Sequence, residues 1–147
     1  MKTFIKNFQD LSNTEIYQIL RLRSEFFVVE QQCIYQDIDN KDEKAVHIFL
    51  KEKNEIIAYS RVFKEKEYFE NPSIGRVVVA NKRRMYGVGK KIMNISINYI
   101  KQNIKAKNIE ISAQKYLKKF YSNFGFVQQG DEYLEDNIPH LRMFLII

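Results

Sequence analysis

Between an apolar run, Ile74 to Ala80, and a long amphipathic segment that begins at Val88, the chain reads Arg83-Arg84-Met85-Tyr86-Gly87-Val88-Gly89-Lys90-Lys91. No other stretch limits the fold so sharply. The run before it contains Val77-Val78-Val79, apolar on both faces, as a central strand covered on each side should be. The segment after it sets Val88, Ile92, Ile95, Tyr99 and Ile100 along one stripe and reads as a helix to about Ile104. The turn between them suits an anion. Its glycines let backbone N–H groups approach without a Cβ in the way, and the new helix adds unpaired donors and roughly half a unit of positive dipole charge.

The flanking sequence extends this into an α/β pattern. Thr3 to Phe8 reads as a strand, and Asp10-Leu11-Ser12-Asn13 supplies N-cap chemistry for a helix carrying Ile16, Ile19, Leu20, Leu22, Arg23, Phe26 and Phe27. From Phe26 to Asp39, large apolar groups mix with amides and carboxylates outside any clean period, which suits a pocket-lining loop. Ala45 to Leu50 and Glu55 to Phe63 are strands joined by the polar turn Lys51-Glu52-Lys53-Asn54. After the central helix come a strand from Asn108 to Ser112, a helix from Lys115 to Asn123, and a glycine C-cap at Phe124-Gly125-Phe126. Two closing strands, Phe126 to Tyr133 and Leu141 to Ile147, are split by Glu135-Asp136-Asn137-Ile138-Pro139-His140. The order β-α-β-β-β-α-β-α-β-β predicts a mixed α/β sheet with helices packed on it, in one domain over residues 1–147.

Composition narrows the function classes. A hydrophobic fraction of 45% and a charged fraction of 29% place the chain among folded globular proteins rather than disordered ones. The first residues lack the apolar core of a secretion signal, and no run approaches the roughly 18 apolar residues of a membrane span, so a cytoplasmic protein without membrane contact is expected. Cys33 is the only cysteine, which removes an internal disulfide and a cysteine-rich zinc site, and His47 and His140 stand too far apart in sequence to suggest a metal centre. The net charge of +6 favours an anionic partner. Lys82, Arg83, Arg84, Lys90 and Lys91 concentrate it around the turn, which suits a compact anion better than a duplex; the aromatic platform of a nucleic-acid-binding strand surface is also missing.

Two familiar phosphate loops fail on required residues. A Walker loop needs a hydroxyl after Gly-Lys, and Gly89-Lys90 is followed by Lys91; a dinucleotide fingerprint needs a third glycine where Ile92 stands. What remains, Arg84-x-x-Gly87-x-Gly89 after a strand, resembles the pyrophosphate loop of the GNAT superfamily of acyl-CoA-dependent N-acetyltransferases. Gln114-x-x-Leu117-x-x-Phe120-Tyr121-x-x-x-Gly125-Phe126 is similar to the second signature of that superfamily, with Gln114 where Asn is usual. Arg23-x-x-Phe26-Phe27-Val28-Val29-Glu30-Gln31, Tyr35-Gln36-Asp37-Ile38-Asp39, Ile74-Gly75-Arg76-Val77-Val78-Val79 and Ile138-Pro139-His140 extend the resemblance to the ElaA-like branch, over nearly the whole chain.

The resemblance implies acetyl-CoA as co-substrate, with its pyrophosphate on the N–H groups of Arg84, Met85, Tyr86, Gly87, Val88, Gly89 and Lys90, and its pantetheine arm along Val77, Val78 and Val79. It also implies a bulge that parts this strand from the next, leaving room for the acyl group and a backbone N–H for the thioester oxygen. Gln114 lies at the cofactor side of the second signature. Tyr121 fits an acid for the departing thiolate, because a phenol of pKa ~10 can stabilise a sulfur of pKa ~8.5; otherwise Phe120, Tyr121, Phe124 and Phe126 form an aromatic core.

An alkylamine acceptor must lose a proton, and Glu30 and His140 are candidate bases. Partial burial among apolar neighbours would raise the Glu30 pKa, or Glu30 is a helix-end carboxylate in an ion pair; His140 is a base or a hydrogen-bonded structural histidine. Arg76 binds an acidic acceptor group or pairs with Glu30 or Asp37, and Tyr35 joins Arg76 and Glu30 on the acceptor side. The acceptor is a small-molecule amine or an amine of a peptide or protein. A non-catalytic acyl-CoA-binding regulatory domain is the alternative. The apolar last strand, Met143 to Ile147, can pair across a homodimer.

Overall fold

In the computed structural model, which describes every residue from Met1 to Ile147, strand β1 (Lys2–Asn7) leads into helix α1 (Asn13–Arg23). Ser12 caps α1 by accepting from the Glu15 N–H, while the Glu15 carboxylate accepts from the Ser12 N–H. Glu15, Ile19, Leu22 and Arg23 form the buried stripe of α1 at spacings of four, three and one. The helix does not stop at Arg23. Ser24–Glu30 continue as a widened π turn in which Gln31 N–H reaches back five residues to the Phe26 carbonyl at 3.1 Å. This helical extension stands where an irregular loop is predicted from Phe26 onward.

Strands β2 (Val46–Glu52) and β3 (Glu55–Phe63) form a hairpin closed by Lys53 and Asn54, both left-handed at φ 50° and 64°. Strand β4 (Ser73–Val79), helix α2 (Val88–Asn103) and strand β5 (Asn108–Gln114) follow. Then come the short helix α3 (Lys118–Ser122) and three strands, β6 (Val127–Gln128), β7 (Tyr133–Glu135) and β8 (Ile138–Ile146). The sequence predicts a continuous strand from Phe126 to Tyr133. Instead the chain breaks at Gly130, which has φ 80°, and its two ends pair with β8 at separate places. Asp136 and Asn137, at φ 51° and 63°, make the tight turn into β8. Gly125, at φ 102°, closes α3 as the glycine spacing implies, with Phe126 N–H donating to the Tyr121 carbonyl at 3.4 Å.

All eight strands belong to one sheet, ordered β1-β2-β3-β4-β5-β8-β6 with β7 also on β8, and only the β4–β5 pair is parallel. Helix α2 covers one face over a core that includes Ile48, Ile57, Ile92, Met93, Ile111 and Met143. Helix α1 covers the other over Phe49, Ile56, Tyr59 and Val78. Val78 therefore faces α1 while Val77 and Val79 pack toward α2, which is why the valine run is apolar throughout. Strand β8 is interior, with Met143 and Phe144 flanked by β5 and β6, so those residues offer no free edge for the homodimer pairing suggested by their composition.

Candidate active site

The site begins with an irregularity in β4. Opposite β3, Val78 faces Tyr59 and Gly75 faces Arg61, so Arg76 and Val77 together oppose Ser60 alone. Arg76 adopts φ 51° to make this β-bulge. The bulge parts β4 from β5: the two strands pair only at Ser73 and Glu110, and from Ile74 onward the edge of β4 facing β5 has no partner strand. A cleft of about 440 Å³ fills the gap. Phe26, Phe27 and Tyr35 form one wall; Arg76, Val77, Gln114, Tyr121 and His140 line the rest, together with Ser112 and Glu135.

The wall from Gln31 to Asp39 has a period of two. Gln31, Cys33, Tyr35, Asp37 and Asp39 turn inward, and the residues between them face solvent. Gln31 and Gln114 exchange amide hydrogen bonds across the cleft, at 2.7 and 3.1 Å, and so tie this wall to β5. Gln114 supports that link with a side chain one methylene longer than asparagine.

Three arginines and three aspartates hold the wall to the sheet. Arg23 donates to Asp37 at 3.1 Å and to Asp42 at 2.7 Å; Arg61 donates to Asp39 at 2.6 Å and to Asp42 at 2.9 Å. Of the two partners predicted for Arg76, the structure pairs it with Asp37, at 2.7 Å, with Asp39 following at 3.4 Å. Tyr35 donates to the same Asp37 at 3.1 Å, and its ring lies 5.7 Å from the Arg76 guanidinium. Arg76 and Tyr35 therefore line the cleft as members of a charge-balanced network.

Burial raises the Asp39 carboxyl pKa, but the hydrogen bond and charge of Arg61 outweigh it and bring the value down to about 2. In Asp42 burial likewise raises the pKa, and the charges of Arg23 and Arg61 lower it further than burial raises it. Folded values below unfolded ones mean that the unfolded chain takes up these protons first. The stabilisation is complete above about pH 4 and is lost as pH falls toward 2. Urea midpoints are expected to drop steeply between pH 4 and pH 2, and Asp39→Asn to flatten that slope; a midpoint independent of pH over this range would contradict the network's role.

Beyond the cleft, the basic turn leads into α2. Met85 and Gly87 are left-handed at φ 68° and 75°, and Gly87 stands as the N-cap of α2. The first backbone bond of the helix runs from Lys91 N–H to the Gly87 carbonyl, leaving Val88, Gly89 and Lys90 N–H groups without intrahelical partners. Met85, Tyr86 and Lys90 are exposed, and Val88 is buried. The Arg84 guanidinium donates to the Val79 carbonyl at 3.1 Å and grips Glu30 with two bonds of 2.7 and 3.0 Å, stacked 4.9 Å from the Phe26 ring. Glu30 is exposed, not partly buried as its apolar neighbours suggest, because the π turn points its side chain outward to Arg84.

Tyr121 is buried and lines the cleft. Its ring makes edge contacts with Phe120 and Phe126 at 5.1 and 6.2 Å, so core packing and cleft lining are the same residue's two sides. Burial, reinforced by Tyr116, pushes its phenol well above the ordinary tyrosine value, and no hydrogen bond contributes. His140 is buried on β8. Its Nδ1 lies 2.7 Å from the Ile138 carbonyl, which can only accept, so Nδ1 carries a proton and Nε2 is the nitrogen turned toward Glu135 Oε2 at 3.4 Å.

Ser112, Tyr133 and Glu135 are absent from the sequence-derived candidates, as are Arg23 and Arg61. Signals for them exist: Asp136-Asn137 is a two-residue hairpin turn, and Arg61 is a lone charge inside the apolar run Ile56 to Phe63. His47 is buried, with both ring nitrogens satisfied by the Tyr59 hydroxyl and the Asp42 carbonyl, at 2.7 and 2.8 Å. No group of side chains here could hold a metal ion, and no helix is long and apolar enough to cross a membrane.

The family model of the acetyltransferase (GNAT) domain matches residues 8–147. A UPF0039 protein of Schizosaccharomyces pombe is 39% identical over 142 residues, covering 95% of this chain and 93% of that protein. The ElaA protein of Escherichia coli is 38% identical over 136 residues, 91% of this chain and 89% of its own. The crystal structure of E. coli ElaA matches with a TM-score of 0.91, 34% identity and 98% of each chain covered. The crystal structure of an acyl-CoA N-acyltransferase from Pseudomonas aeruginosa also matches with a TM-score of 0.91, at 32% identity over 99% of each chain.

Proposed function

The chain belongs to the GNAT acetyltransferase family, in its ElaA-like branch, and from that premise we propose that it moves an acetyl group from acetyl-CoA to an amine by direct attack, without a covalent enzyme intermediate. One arrangement supports this most: the unpaired edge of β4 borders a cleft lined by the free phenol of Tyr121, and the chain that leaves β4 leads beyond that cleft to the open N-terminus of α2. The residues fit the co-substrate. The N–H groups of Val88, Gly89 and Lys90 can receive a pyrophosphate, with Arg84, Met85, Tyr86 and Gly87 shaping the approach. The free edge of β4 along Val77, Val78 and Val79 can pair with the amides of the pantetheine arm.

When bound, acetyl-CoA supplies a thioester carbonyl as electrophile. A backbone N–H on the bulged edge of β4 would bond the carbonyl oxygen, and Tyr121 O–H would donate to the sulfur as negative charge grows there. Because burial holds that phenol high, Tyr121 stays protonated throughout the working pH range and acts as a donor, never as a base. His140 Nε2 is the better-placed base. Glu30 is engaged by Arg84 outside the cleft, whereas Nε2 is on its wall with the tautomer set by Ile138. The acceptor is a small-molecule amine or an amine of a peptide or protein, and the site of action is the cytoplasm.

Two measurements test this. Coenzyme A at about 100 times its Kd should add about 2.7 kcal/mol of stability, a rise in Tm of roughly 5–10 °C for a chain of this size. Thiol release from acetyl-CoA should then depend on added amine. No thermal response to coenzyme A would end the proposal, and a response without amine-dependent thiol release would favour a regulatory acyl-CoA-binding domain.

A further inference from the structure

The tip of the β7–β8 hairpin carries a carboxylate that one serine hydroxyl holds and that turns its second oxygen toward a histidine. Glu135 is on the cleft wall, half-exposed, and faces Ile138 across the turn made by Asp136 and Asn137. Ser112 donates to its Oε1 at 3.2 Å, and Ser112 is itself hydrogen-bonded to the Tyr133 hydroxyl. The other oxygen, Oε2, stands 3.4 Å from His140 Nε2. Tyr133 stacks on the His140 ring at 6.1 Å and holds the imidazole in that orientation.

With Nδ1–H committed to the Ile138 carbonyl, a neutral His140 presents a lone pair beside a carboxylate oxygen. The contact becomes favourable when a proton lies there, either on Nε2 itself or on a positively charged N–H donor beside the two acceptors. The charges around the cleft agree. Arg76 is matched by Asp37, and Asp39 by Arg61; of the remaining charges on the cleft lining, two are carboxylates, Glu135 and Asp136, and one is the ammonium of Lys41, so the balance is acidic in a chain of net charge +6.

Building on the acetyltransferase reading, we infer that Glu135 receives the acceptor as an alkylammonium ion, and that the substrates of this site are charged alkylamines rather than uncharged aryl amines. A primary alkylammonium, of pKa ~10.4, donates one N–H to Glu135 Oε2 and passes another proton to His140 Nε2. The freed lone pair forms the C–N bond to the acyl carbon as the C–S bond breaks. The sulfur leaves with that electron pair. Nitrogen gives up two protons in all, one ending on sulfur and one in solvent, so amide, thiol and a proton are the products.

The test uses the full chain, saturating acetyl-CoA, and n-butylamine, 1,4-diaminobutane and aniline as probes, following thiol release. The two alkylamines should exceed aniline in kcat/KM. Glu135→Gln should raise KM for both by about ten-fold or more, the scale of one hydrogen bond to a charged group, and narrow their advantage over aniline correspondingly. Glu135→Asp should recover part of that preference. An unchanged coenzyme A thermal shift in both variants would show that fold and donor site are intact. Preference for aniline, or an alkylamine KM within two-fold of wild type in Glu135→Gln, would overturn the role of Glu135 while leaving the acetyltransferase reading standing. If no probe releases thiol although coenzyme A binds, the enzyme reading itself fails, and this inference falls with it.

Discussion

Tyr121→Phe should lower kcat by about 10²-fold or more, the range lost when a positioned proton donor is removed, and leave the coenzyme A thermal shift nearly unchanged. The substitution keeps the ring and its edge contacts with Phe120 and Phe126, so the fold loses little. Only the hydroxyl goes. It has no hydrogen-bond partner in the protein, and burial holds its proton tightly, so its effect should appear in the step that develops charge on sulfur rather than in binding. The raised phenol also favours hydrogen-bond donation over complete transfer to a thiolate whose conjugate thiol has an ordinary pKa of ~8.5. Single-turnover rates and coenzyme A melting curves on the same variant decide it. Full activity in Tyr121→Phe would remove the residue from the chemistry.

Arg23→Met should cost about 3–5 kcal/mol of stability, enough to lower Tm by roughly 10 °C or more. The Arg23 side chain is fully buried and donates to Asp37, to the Asp37 carbonyl and to Asp42. Methionine fills similar volume but leaves both carboxylates short of a partner in a water-poor site, which costs more than the pair itself contributes. Burial opposes the Arg23 charge, and the Tyr59 oxygen with the carboxylates of Asp37 and Asp42 more than offsets it, so its pKa stands above the ordinary arginine value. Because Asp37 also holds Arg76 and Tyr35, loosening it should disturb the cleft wall and raise acceptor KM in the surviving folded fraction. Urea unfolding with an unchanged midpoint would show that Arg61 and Arg76 carry the network without Arg23.

Most elements were legible in the sequence because their signals are local. The Ser12 cap, the period of α2, the valine run of β4 and the Gly125 stop each follow from residues within a few positions of one another. The π turn and the Gln31 to Asp39 wall were harder. Phe26-Phe27-Val28-Val29 satisfies neither a helical nor a strand period, and only the fold shows that its widened turn lets Phe26 and Phe27 line the cleft and Glu30 reach Arg84. The break at Gly130 was hidden for the opposite reason: the residues on either side pair with one strand, β8, at separated positions.

What the sequence by itself determined is the proposed donor side. The turn from Arg84 to Lys90, the edge carrying Val77 to Val79 and the phenol of Tyr121 would work through backbone N–H groups and residue types that short spacings reveal. Only the tertiary structure decided the proposed acceptor side. Glu135 meets Ser112 and His140 across three strands, Arg76 meets Asp37 rather than Glu30, and Gln31 meets Gln114 across 83 positions of chain. Charge pairing over such separations has no local signature, because the energy that selects each partner depends on burial and distance, and both exist only once the sheet has closed around the cleft.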